Sequence, residues 1–249
     1  MFSNVLKRMK EKKRLILITI VSVIVALGFV GGCYYAYKYN EYYNVKPVTA
    51  SILEDAGIDE FSKLIIVAHP DDETLWAGAH MAEDDYFVVC VTNGNNETRS
   101  KEFKGILKAF DNKGIILNYP DKTFGKRDDW SRVKDKITDD LSTIIKHNDW
   151  EVITTHNTAG EYGHQHHIMV NNIVTDIYDE LDKKGDLYYF GNYYKALDIE
   201  EAMEGKEGVS KDSLKKKEEV LKLYKSQEKT VKKLSHMNPY EYWILYDGR

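Results

Sequence analysis

Cysteine is almost missing from this chain, with Cys33 and Cys90 the only two in 249 residues. That excludes a scaffold stapled by internal disulfides. Cys33 lies in an apolar N-terminal run, and Cys90 sits in an apolar stretch where it reads as a small core residue. Internal repeats are absent too. An excess of positive charge is also lacking, since 35 Lys and Arg stand against 40 Asp and Glu. The first 14 residues hold six of the basic groups (Lys7, Arg8, Lys10, Lys12, Lys13, Arg14) and only one acid, Glu11. The remainder is therefore near −10, a balance that argues against nucleic acid as a partner.

Charge of either sign is absent from residues 15–37, LILITIVSVIVALGFVGGCYYAY. An uncharged run of this length exceeds the ~20 residues needed to span a bilayer. The basic cluster before it stays cytoplasmic by the positive-inside rule, which sends the rest of the chain to the outer face. The organisation expected is a cytoplasmic basic tail at 1–14, a transmembrane signal anchor at 15–37, a polar connector at 38–60 and a catalytic domain at 61–249, in a single-pass type II arrangement at the cell membrane. A cleaved leader would have a shorter apolar region. Val30-Gly31-Gly32-Cys33 resembles a bacterial lipoprotein processing site with Cys33 as the lipidated residue. The anchor and the lipoprotein readings alike leave the domain tethered outside.

Beyond the connector, apolar patterning alternates between two periods. Short buried strands are read at 64–68, 86–92, 115–119, 151–156 and 187–190. Helical spacing lies between them: after Thr74, over 98–112 (Phe103, Ile106, Leu107, Phe110), over 130–147, and after His167 (Ile168, Val170, Ile173, Val174, Ile177). Such alternation predicts an α/β, Rossmann-like, mostly parallel sheet with helices on both faces. A lysine-rich helix is expected over 213–234 with its charges on a solvated face. A last edge strand is expected at 240–246.

The chemistry concentrates where two strands end. Val67-Ala68-His69-Pro70-Asp71-Asp72-Glu73 packs one imidazole and three carboxylates against the end of the first strand. One acid would suffice to cap the following helix; three acids and a histidine point to metal or acid–base chemistry. After the fourth strand comes Gly160-Glu161-Tyr162-Gly163-His164-Gln165-His166-His167. A lone His-x-x-His is weak evidence. At a matching strand end beside His-Pro-Asp-Asp it becomes a zinc proposal, with His69, Asp72 and His167 as a ligand set of the kind that leaves a fourth place for water. His156, at the end of the fourth strand, is a candidate for a supporting role.

Ala-His-Pro-Asp-Asp-Glu, followed some ninety residues on by Tyr-Gly-His-x-x-His, resembles the PIG-L/LmbE-like zinc-dependent N-acetylglucosamine deacetylases. The resemblance implies Zn2+ held by His69, Asp72 and His167. It implies Asp71 as general base on water, His164 as a charged group facing the oxyanion and leaving amine, and Tyr162 as an aid to the oxyanion. Arg99 and Asp121 fall in segments that resemble the family's substrate contacts. Lys225-Ser226-Gln227 and Glu102 resemble further family features. One departure stands out: the family usually reads His-Pro-Asp-His, whereas Gln165 and His166 occupy the middle here. The expected function is hydrolysis of an N-acetyl group from an N-acetylglucosamine-containing glycan or glycoconjugate outside the cell. The alternatives are another N-acyl bond or a non-catalytic sugar-binding protein.

Overall fold

The computed structural model describes residues 2–181, 185–206 and 208–248. The chain divides into two units, residues 1–45 and 46–249. In the first, helix α1 (Phe2–Tyr43) buries no side chain. It is long and apolar enough to cross a membrane by length and composition.

The second unit is built on a six-stranded sheet. Its strands are β1 (Lys63–Val67), β2 (Phe87–Thr92), β3 (Lys113–Tyr119), β4 (Val152–Thr155), β5 (Asp186–Phe190) and β6 (Trp243–Leu245). Their spatial order is 3-2-1-4-5-6. All neighbours run parallel except β6, which pairs antiparallel to β5. The strand order reverses between β1 and β4, and open α/β sheets bind ligands in the crevice beyond the strand ends at such a point. The predicted Rossmann-like class is what the chain adopts.

Burial explains why the patterning was readable. Every residue of β2 is buried. The Glu97–Phe110 helix (α2) is started by the Asn96 side chain, which accepts the Arg99 N–H, and buries Phe103, Ile106, Leu107 and Phe110. Cys90 is a free, buried thiol, and Cys33 is exposed.

Two expectations need correction. The compact unit begins at Lys46, not near Phe61, because Val48, Leu53 and Ile58 are buried in it. The Val48 N–H also donates to the buried Asp140 carboxylate at 2.8 Å. The lysine-rich helix is not continuous, breaking into α3 (Lys211–Leu221), a 3-10 turn at Lys225–Gln227 and α4 (Glu228–Leu234). Nor are all its charges solvated. Lys217 is wholly buried, its ammonium donating to the Leu75 carbonyl at 2.8 Å and to Glu241 at 2.6 Å. Glu241 also accepts from the backbone of Ala79 and His80 and from the His80 ring. The lysine stem packs against Gly78, where a Cβ would meet the Thr74 carbonyl.

This buried pair clamps the C-terminal segment to the helical turns that follow β1. Burial opposes ionisation of Glu241, but Lys217 and then His80 hold its carboxyl down to about 2, against an ordinary 4.5. A depressed folded-state pKa contributes stability above the unfolded value and loses it as pH falls between the two. The clamp should therefore hold fully above about pH 4.5 and fail progressively toward pH 2. Lys217→Met, which strands a buried carboxylate, is expected to cost about 3–5 kcal/mol at neutral pH, read by denaturant unfolding.

Candidate active site

The first cluster leaves β1 through an unusual turn. Asp71 has φ +130°, a conformation L-residues rarely adopt. Glu73 pins it. This buried carboxylate accepts the Asp71 N–H at 3.1 Å and the hydroxyls of Thr74 and Tyr224, each at 2.6 Å. Asp72 turns back, its Oδ2 accepting the His69 N–H at 2.8 Å. The second cluster leaves β4 through another strained residue, Glu161 at φ +55°.

At the crevice three donor atoms form a near-equilateral triangle. His69 Nδ1 lies 3.1 Å from Asp72 Oδ2, His167 Nε2 lies 3.2 Å from the same oxygen, and the two nitrogens are 3.3 Å apart. Ligands about 2.0–2.1 Å from a tetrahedral zinc stand about 3.3 Å from one another. All three residues are buried, and they form one of the groups able to hold a metal ion. The spacing and the donor chemistry both fit such an ion.

Glu161 and His156 complete the frame, and neither was given a firm role from sequence. The Ala68 N–H donates to His156 Nε2 at 2.9 Å, so the proton of that ring sits on Nδ1, which meets Glu161 Oε2 at 3.1 Å. The same carboxylate oxygen accepts from His167 Nδ1, leaving His167 Nε2 to face His69 and Asp72. A carboxylate behind a ligating imidazole is how metal sites fix tautomer and ring orientation. His156 stacks on His167 with centroids 3.8 Å apart. The sequence signal was only position, a histidine and an acid in the loop after β4.

Charge is tightly matched here. Burial opposes ionisation of Asp72, yet His167 and His69 hold it well below the usual carboxylate range. Burial likewise disfavours a charged His167, but Asp72 and Glu161 raise it to about 10. Glu161 is depressed to about 2 because His156 and His167 outweigh its burial. Asp71 goes the other way. Burial and the neighbouring Asp72 charge push it up to about 8, with Arg99 opposing.

The remaining predicted residues share a cavity of about 550 Å³ lined by His69, Asp71, Asp72, Arg99, Asp121, Arg127, Tyr162 and His164, among others. Arg99 donates to the Pro70 carbonyl and lies 3.5 Å from Asp71 Oδ1. It therefore braces the acid as well as lining the cavity. Asp121 Oδ1 lies 3.5 Å from His69 Nε2, closer to the ligand cluster than a purely substrate-facing residue would be. His164, expected as a charged group, lines this cavity, where burial and the neighbouring His69 and His167 push its pKa down to about 2 and its Nε2 receives the Arg127 guanidinium. Ser226 donates to Glu102 through its backbone N–H and its hydroxyl, joining two segments read separately from sequence. His80, His147 and His236 bond Glu241, Asp59 and the Tyr194 carbonyl.

A fold of this order with this cluster at its switch point defines a class that comparison with known proteins makes specific. The family model for PIG-L, described as GlcNAc-PI de-N-acetylase, matches residues 64–178, the span that holds both motifs. That segment is similar to the PIG-L deacetylases. A curated relative, the uncharacterized protein L374 of Acanthamoeba polyphaga mimivirus, is 27% identical over 132 residues. The match covers 46% of this chain and 57% of that relative. Among solved structures, the A40926 pseudoaglycone deacetylase Dbv21 shares the fold with a TM-score of 0.52 at 15% identity, over 69% of this chain and 84% of that one.

Proposed function

We propose that this chain is a membrane-anchored, outward-facing zinc-dependent hydrolase that removes the N-acetyl group from an N-acetylglucosamine-containing glycan or glycoconjugate. The observation that carries the reading is the donor triangle of His69, Asp72 and His167 at the cavity, with Asp71 beside it. These three would hold the ion, which when bound supplies a Lewis acid able to acidify water and polarise the acyl carbonyl.

The chain's own groups do the rest. Asp71 takes the proton of the attacking water on its carboxylate and returns it to the departing amine, which cannot leave unprotonated. The strained backbone and Arg99 fix where Asp71 points. Tyr162 and the Arg127–His164 pair face the oxygen on which negative charge develops. Arg99 and Asp121 are positioned to meet sugar hydroxyls or an anionic substituent at the cavity wall. The type II topology favours glycans and glycoconjugates met outside the cytosol.

Acetate release from N-acetylhexosamine substrates tests the reaction. Chelation should abolish it and zinc restore it, and Asp71→Asn should keep the zinc while losing about 10²–10⁴-fold in turnover. Release of a different acid would keep the hydrolase and change the bond, whereas sugar binding with no acid released would leave a binding protein. The anchor has its own test: the chain should stay with membranes after a high-pH wash, and protease added to intact cells should digest the unit that starts at Lys46. Protection of that unit would reverse the topology.

A further inference from the structure

His166 stands where the family usually has an acid, and the structure gives it a built seat. The ring is fully buried, stacked on Trp130 at 4.1 Å and 7°. Trp130 is itself buried and fixed by its indole N–H on the Pro120 carbonyl at 2.8 Å. His166 Nε2 meets the Asp128 carbonyl at 2.7 Å. A carbonyl only accepts, so the proton lies on Nε2 and Nδ1 is left with a lone pair. That Nδ1 lies 3.1 Å from His69 Nε2. The ring faces His69, while His164 faces the Arg127 guanidinium.

We infer that His166 is a positioning residue for the metal site: its Nδ1 accepts the Nε2–H of His69 and so fixes the tautomer that turns His69 Nδ1 toward Asp72 and His167. This rests on reading His69 as a metal ligand. The inference accounts for a second feature. Asp121 Oδ1 is buried without a hydrogen-bond partner, 3.5 Å from the same His69 Nε2 and 3.8 Å from His166 Nδ1. Two acceptors thus converge on one N–H. A second metal bound among His69 Nε2, His166 and Asp121 would require that nitrogen to have lost its proton, so the acceptor role and a second ion exclude each other. His166 therefore does for His69 what Glu161 does for His167.

Zinc binding alone, measured on the full-length chain in detergent by competition with a chromophoric chelator, tests the inference. His166→Gln keeps an amide near Nε2 to meet the Asp128 carbonyl and removes the acceptor facing His69. His166→Asn keeps an acceptor near Nδ1 and gives up the Asp128 bond. The Gln variant should bind zinc about 10–100-fold more weakly. The Asn variant should recover affinity to within a few-fold of the native chain, and the native chain should bind one zinc. Equal weakening in both variants, full affinity in the Gln variant, or two zinc ions per chain would overturn it. His69→Ala separates the two levels of the argument: zinc binding unaffected by that change defeats the metal reading itself, whereas binding lost with His69→Ala but untouched by His166→Gln defeats only the role of His166.

Discussion

The site depends on one buried carboxylate. Glu161 is 5% exposed and meets two imidazoles through a single oxygen, while its other oxygen accepts the Asn157 N–H at 3.0 Å. A buried charge is tolerable only when its lone pairs are met and opposite charge is near, and Glu161 has both. Because it takes the Nδ1 protons of His156 and His167, each ring must present Nε2 inward. His156 Nε2 then ties the end of β1 at Ala68, and His167 Nε2 completes the triangle with His69 and Asp72. One side chain therefore sets both the strand junction and the ligand geometry.

The same logic runs through the first cluster. Asp71 sits in a backbone conformation that costs of order 1–3 kcal/mol and persists only where the surroundings enforce it. Glu73, Tyr224 and Arg99 supply that enforcement. Glu73 thus belongs to the frame that holds Asp71. Rigid framing of this kind suits a reaction that needs a proton taken and returned at a fixed place.

Much of the fold was legible because core strands and amphipathic helices impose periods that survive in a single sequence. The apolar face of α2 is the four residues that its spacing predicts. Strand order was not legible, because it depends on pairings across long separations. The break in the lysine-rich helix and the burial of Lys217 were hidden for a related reason: the partner, Glu241, lies 24 residues on, and a lysine in a charged run reads as surface. In the site, His69, Asp71, Asp72 and His167 could be picked out because several chemistry-bearing residues crowd two strand ends. Glu161 and His166 could not be given roles, and His156 only an unspecified supporting one, since what they do is set by which ring nitrogen meets which neighbour, and that is a property of the packed crevice.

In the proposed site His69, Asp72 and His167 hold one metal ion while His156, His164 and His166 stay outside its ligand set. X-ray absorption at the zinc edge of the zinc-loaded chain tests this directly. The prediction is two imidazole ligands with oxygen completing the set at about 2.0–2.1 Å. Three or more imidazoles, or a sulfur ligand, would contradict it.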